Sequence, residues 1–358
     1  MASIFDYAII LGIAAICIYI FYRIIKKRQA AVASPPPYID VPTSAQTSQL
    51  QSIENLSNGS GLSNTVLDPT VDNSLRNFCI KSSFNSAYTG TYVNLDMVRY
   101  VISRGCRFLD FEVFIKDGTP IVAYSNSTFD PSFTQFTSAA PAISFDGVLS
   151  TIMANAFGAT APNPGDPIFV QLHINTYLQS GYSAIAQTIA ATCGPKLYSS
   201  TVTPDTQLND IMGKIVFVVD LTTSPAYQSY SDCGSPGSTS STMGTQCLAN
   251  YMNMESGSTT VRVYGQSQLT NQSITPISPN SPAAYLMRIV LPDPGFFWGV
   301  SNSDSLYLIQ NYGAQVVAEA FYVNDNVLAN YENFFRNFKS AFVPLGAASS
   351  YILGLGSS

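Results

Sequence analysis

The chain has 358 residues, of which 11% are charged and one is histidine, with a net charge of −6. That charged share is less than half the roughly 25% usual for a soluble globular protein, whereas the 46% of hydrophobic residues supply a large core and exclude disorder for most of the chain. One imidazole excludes two-histidine acid–base chemistry and any metal site with two histidine ligands in one chain. With four of the sixteen cations gathered at 23–28, no basic surface for nucleic acid remains.

Ala8 to Tyr22 is apolar and uncharged, and counting from Ile4, with Asp6 the one charge, the run reaches the roughly 17 to 20 residues that cross a bilayer as a helix. Arg23, Lys26, Lys27 and Arg28 follow it. A signal peptide carries its charges before the apolar run, so residues 1–28 read as an uncleaved single-pass anchor, with the membrane as partner through residues 4–22. The basic flank predicts that the large domain stays on the cytosolic side. A buried core helix is the alternative, disfavoured by length and terminal position. Residues 29–72 read as a linker: Pro35-Pro36-Pro37 stiffens its start, and Thr43 to Thr65 is polar without an apolar period.

After Asp72, β-like and helical runs alternate. Strands are expected at Phe78 to Lys81, Phe108 to Ile115, Pro120 to Tyr124, Ile168 to Leu172, Ile215 to Asp220, Tyr285 to Leu291 and Gln315 to Phe321. Helices are expected at Leu95 to Ser103, Phe145 to Ala156, Tyr182 to Cys193 and Val327 to Lys339, the last with Asn326 as a candidate N-cap. The fold class is therefore α/β, and strand-then-helix units over 73–345 suit one TIM-type barrel. Residues 222–258, rich in Ser, Gly and Thr, read as a loop insertion, and 346–358 as a C-terminal tail. Cys233 and Cys247 bracket that loop and could pair under oxidation, but unpaired cysteines in a reduced compartment are the favoured reading.

The string IKSSFNSAYTG from Ile80 resembles the first catalytic segment of the phosphatidylinositol-specific phospholipase C family, whose pattern is close to I-x-S-S-H-N-T-Y-x-x-G. SRGCRFLDFEVFIKDGTPIVAYSNST from Ser103 is similar to the next family segment, and ISFDGVLSTIMANAF followed by IFVQLHIN to the one after. MGKIVFVVD, MRIVLPDPG and NYGAQVVAEAFYVND look like later segments in the correct order, from about Phe78 to Phe342. The resemblance implies a PLC-like TIM barrel with its site at the C-terminal ends of the strands.

It also implies that both catalytic histidines are missing. Phe84 stands where the family has the histidine that stabilises the phosphoryl charge, and Ser125 where it has the acid–base histidine. Neither a phenyl ring nor an unassisted hydroxyl moves a proton readily. The family's calcium ligands correspond by position to Asn85, Asp110, Glu112 and His173. An imidazole disfavours oxygen-only calcium coordination and would suit Mn, Fe or Zn; the bland alternative is a hydrogen-bonded barrel histidine with Asp110 paired to Arg107. The lysines that hold inositol phosphates become Val218 and Asp220, which puts phosphoinositide binding in doubt, while Arg288 matches a substrate-binding arginine. Arg107 matches the arginine of the GCR segment and reads as structural.

The expectation is a membrane-anchored barrel, without a cofactor and without hydrolase activity, acting as a structural or binding protein with protein partners. The composition and anchor fit a minor virion protein of a large DNA virus that links a virion membrane to the capsid. The competing expectation is an active phosphodiester hydrolase with a rebuilt divalent-metal site.

Overall fold

The computed structural model describes residues 40–54, 59–123, 142–231, 233, 246–271, 282–293 and 300–356, with 16, 18–20, 22 and 23 of the N-terminal run. The anchor expected at 4–22 thus lies for the most part outside the described residues, and so does Ser125. Among the described residues no helix is long and apolar enough to cross a membrane.

Helix α1 (Ser44–Glu54) leads into an extended stretch and then into β1 (Phe78–Ser83). Next come α2 (Leu95–Ser103), β2 (Phe108–Lys116), β3 (Thr119–Val122), β4 (Ile143–Ser144) and α3 (Phe145–Ala156). The middle of the chain holds β5 (Ile168–Asn175), α4 (Gln179–Cys193), α5 (Leu208–Ile211), β6 (Ile215–Asp220), α6 (Tyr227–Tyr230), β7 (Met254–Ser256) and β8 (Val261–Gly265). Last are α7 (Gln266–Asn271), β9 (Met287–Leu291), α8 (Ser305–Tyr312), β10 (Val316–Glu319), α9 (Asn326–Phe338), β11 (Phe342–Pro344) and α10 (Leu345–Gly356).

Eight strands, all parallel, run in the order β7-β6-β5-β2-β1-β10-β9-β8. The two ends of that path, β7 and β8, lie side by side, so the barrel is nearly closed. Strands β11, β3 and β4 are antiparallel additions. Strand alternation divides the core in two. Ile80, Phe108, Phe169, Val216, Val218, Ile289 and Val316 plug the barrel, with Phe108 and Phe169 stacked at 6.1 Å between centroids. Leu109, Phe111, Val170, Leu172, Phe217 and Val219 face the helices.

The helices form where the sequence offers both an apolar stripe and a cap. In α2, Met97, Val98, Val101 and Ile102 are buried and the Asn94 side chain accepts from the Asp96 N–H at 2.8 Å. In α9, Leu328, Tyr331, Phe334 and Phe335 are buried; its N-cap is Asp325, which accepts from the Leu328 N–H at 2.8 Å, one residue earlier than the expected Asn326. Gly105, between α2 and β2, has φ of +82°, where a Cβ would also strike Leu62.

Four expectations need correction. The stretch read as a C-terminal tail is helix α10 up to Gly356, with Ala348 buried in the core and the Tyr351 ring 5.5 Å from that of Phe338. The stretch read as a linker is docked over residues 40–54 and 59–72. Asp40 accepts from the N–H and hydroxyl of Ser144 at 2.8 and 2.6 Å, Gln46 and Leu50 of α1 are buried, and Thr65 donates twice to Asp166, at 2.7 and 2.9 Å. Polar side chains with fixed partners and a few scattered apolar ones, Leu50 and Leu62 among them, hold this segment, so no apolar period marks it. The stretch read as an insertion contains barrel strand β7, a three-residue strand too short to show alternation. Cys233 and Cys247, read as unpaired, form a disulfide, their Cα atoms 4.4 Å apart.

Candidate functional site

The side chains that converge at the mouth come from β2, β5 and β6. On β2, Asp110 and Glu112 point the same way, and the parallel ladder sets them level with Gln171 and His173 of β5. Val218 of β6 is level with Gln171, which brings Asp220, two residues on, beside His173.

His173 stands between two carboxylates. Its Nε2 is 2.5 Å from Asp110 Oδ1 and its Nδ1 is 2.7 Å from Asp220 Oδ2. Ionised carboxylates only accept hydrogen bonds, so a ring engaged by both donates from both nitrogens and is an imidazolium. Burial works against that charge, but Asp110 and Asp220 overcome it and hold the His173 pKa well above its ordinary value. Burial likewise raises Asp220, and the His173 contact with the Thr222 bonds brings its pKa below the usual carboxylate value. The Gln171 side-chain amide lies 3.2 Å from His173 Nε2; beside a donating ring its oxygen is the end that suits the contact.

The remaining carboxylate oxygens are committed to backbone and hydroxyl donors. Asp110 Oδ2 accepts from the Asn85 N–H at 3.2 Å. Asp220 Oδ1 accepts from the Thr222 N–H at 2.9 Å, and its Oδ2 also accepts from the hydroxyls of Thr222 and Thr223 at 2.7 and 3.0 Å. The turn after β1 is shaped to make its share of these contacts. Asn85 sits at φ of 43°, a conformation asparagine tolerates better than most residues. Ser86 accepts from the Asp110 N–H at 2.9 Å and contacts Ser83 Oγ at 2.5 Å.

Beside the cluster lies a small open cleft lined by Asn85, Tyr88, Asp110, Glu112, Val122 and Ala123. The Asn85 Nδ2 is buried there without a hydrogen-bond partner.

The structure therefore gathers Asn85, Asp110, Glu112 and His173 into one mouth, but in no ligand geometry. Among the described residues no group of three His, Cys, Asp or Glu side chains is arranged to hold a metal. Both ring nitrogens of His173 are occupied by carboxylates, and a protonated ring has no lone pair for an ion. The family's calcium does not fit this donor set. Asp110 is paired with His173 rather than with Arg107, whose fully buried guanidinium donates to the Ala156 carbonyl at 2.9 Å and to Asn163. Burial lowers the Arg107 pKa to about 10.

Arg288 does not join the site. It alternates along β9 with Met287 and Ile289, which belong to the barrel plug, so its side chain lies on the outer face. It is buried there, with Nε and Nη1 unpartnered and the Tyr264 phenol as its neighbour. Phe84 follows β1 half-buried, its N–H donating to the Glu319 carbonyl at 2.9 Å. Sequence reasoning marked Asp220 only as a lost lysine position and missed its pairing with His173; an acid closing an otherwise apolar strand, IVFVVD, was the available signal.

Residues 71–220 match the family model for "Phosphatidylinositol-specific phospholipase C, X domain". PLC21 of L. pealei is similar in structure, with a TM-score of 0.53 and 17% identity over 76% of this chain and 37% of that one. PLC21 of S. officinalis gives the same values. The chain thus spans little more than a third of these two proteins, and the likeness shows the barrel fold. A calcium-dependent phosphoinositol-specific phospholipase C from a Pseudomonas species aligns at 12% identity over 74% of this chain and 95% of that one, with a TM-score of 0.40. No curated protein sequence matches the chain.

Proposed function

We propose that this chain is a membrane-anchored, phospholipase C-like barrel that binds or braces a protein partner and hydrolyses no phosphodiester. The observation that carries the reading is the His173 bridge. It fills the centre of the mouth with an internal ion pair network, where hydrolysis would need a free acid–base group and a phosphoryl stabiliser. Phe84 in place of a family histidine supports it, since a phenyl ring cannot stabilise phosphoryl charge. Phosphoinositide binding is disfavoured by Val218 and Asp220 at the family's lysine positions and by the outward course of Arg288.

The partner surface is uncharged and aromatic in this reading. Tyr285 and Tyr307 are 61% and 44% exposed, and tyrosine supplies much of the energy of protein interfaces. A membrane-to-capsid link in a virion is the narrower form of the proposal. The two signals for the side of the membrane oppose each other: the basic flank favours the cytosol, and the Cys233–Cys247 disulfide favours an oxidising compartment. Protease protection of the barrel in sealed vesicles of known orientation decides between them.

Hydrolysis is tested with phosphatidylinositol vesicles in the presence of calcium, manganese or zinc. No inositol phosphate should appear. Release that disappears in His173→Ala would replace this reading with that of a rebuilt hydrolase.

A further inference from the structure

Asp110 and Asp220 are almost fully enclosed, at 0% and 1% exposure, on strands that flank β5. Two ionised carboxylates in an apolar barrel must share a cation or surrender a charge. A divalent ion is one solution, requiring oxygens free to converge on a point about 2.3–2.6 Å from each. Here the planar ring of His173 spans the gap, with one nitrogen on each carboxylate at 2.5 and 2.7 Å. Every carboxylate oxygen of the pair already accepts a hydrogen bond, from the ring, the Asn85 N–H, or Thr222 and Thr223. The sum over Asp110, His173 and Asp220 is one negative charge, so the ring neutralises half of what a divalent ion would.

We propose that His173 is the resident cation of this barrel mouth: its side chain takes the place of a divalent ion between Asp110 and Asp220, so the mouth assembles without metal, and replacing the ring with an acid opens a divalent-cation site. The inference deepens the reading of a non-hydrolytic barrel and fails separately from it, because metal binding is measurable whether or not anything is hydrolysed.

The geometry assigns different consequences to different replacements. His173→Glu places a third carboxylate between the first two, with Glu112 nearby on the same face of β2. That concentration of hard oxygen ligands calls for calcium. His173→Gln removes the cation and adds no ligand charge, so it should destabilise the fold, and calcium should restore part of the loss.

The test uses the full chain in detergent, stripped with chelator and titrated with calcium chloride and with manganese chloride in a calorimeter. Because the chain has one histidine, a long-range ¹H–¹⁵N spectrum reports its ring without assignment ambiguity. Wild type should give no binding heat up to about 1 mM calcium, the weak end of protein calcium sites, and both ring signals should stay unmoved. His173→Glu should bind one calcium at least about tenfold more tightly than wild type, with a rise in Tm on addition of calcium. Stoichiometric calcium in wild type, or ring signals broadened by manganese at substoichiometric amounts, would overturn the proposal. A folded His173→Glu with no affinity for any divalent ion would overturn it equally. If neither variant folds, the wild-type titration and spectrum decide the matter alone.

Discussion

Glu319, at the end of β10, offers the sharpest test of the energetics. Its side chain is fully buried on the outer face of the barrel, where Oε2 accepts from the Ser303 N–H at 3.3 Å and Oε1 has no partner. Burial first, with the charges of Asp325 and Asp304 behind it, raises its pKa from 4.5 to about 8 against the opposing pull of Ser305 and Ser303. The folded state therefore holds a proton that the unfolded chain releases above about pH 4.5. Between about pH 4.5 and 8 the unfolded state binds fewer protons, so stability falls as pH rises, with no effect below that window and a constant cost above it. At 1.36 kcal/mol per pKa unit the full cost has a ceiling of about 5 kcal/mol, of which about 2.5 kcal/mol develops between pH 5 and pH 7. Glu319→Gln keeps the shape and removes the titration. Urea unfolding followed by circular dichroism should show the variant gaining on wild type by about 2 kcal/mol or more between those two pH values. Parallel stability curves for the two proteins would refute the assignment of a proton to Glu319 at neutral pH.

The remaining predictions concern the frame of the barrel. Glu332→Ala leaves the fully buried Lys81 and the nearly buried Arg104 without their shared carboxylate, now at 3.3 and 2.8 Å, and should cost about 3–5 kcal/mol in urea unfolding; a loss under about 1 kcal/mol would contradict it. Asp40→Ala removes both bonds to Ser144 and should cost about 1 kcal/mol while speeding proteolysis just before α1. Unchanged cleavage would mean that the segment is held elsewhere. Gly105→Ala forces a Cβ into positive φ against Leu62, and a folded variant within about 0.5 kcal/mol of wild type would count against the strain argument. Thiol labelling of the denatured, unreduced chain should reach Cys17, Cys79, Cys106 and Cys193 and spare Cys233 and Cys247; six labels would exclude the disulfide.

Where burial imposes a period, the sequence discloses the element. Helices α2 and α3 have the expected ends because each has a cap at its start and apolar residues at helical spacing. Strand β6 has the expected ends because IVFVVD is apolar on both faces, as a barrel strand requires. Strand β8 escaped notice because its burial is partial and its tyrosine and arginine resemble a loop. Helix α1 escaped because Gln46 and Leu50 are its only buried residues: Leu50 alone enters the core, with Ile53 against it, and the rest of its hold is polar bonds to residues dozens of positions away. The mouth was legible as a set of positions but not as a set of partners. Asp110, Glu112 and His173 could be placed on inward faces by alternation, whereas the distance between His173 and Asp220 depends on the stagger of β5 against β6. Nothing local in the sequence sets that stagger.

The pin between Asp40 and Ser144 limits how the domain can hang. Ser144 opens α3, and in a parallel barrel helices start at the end where the strands finish, so the pin lies on the rim of the mouth. Only residues 29–39 separate it from the basic cluster, a reach of about 40 Å at full extension. With residues 4–22 in a bilayer, that reach would keep the rim within about 40 Å of the basic cluster. A partner bridging away from that membrane would then have to meet the domain within a tether's length of the lipid.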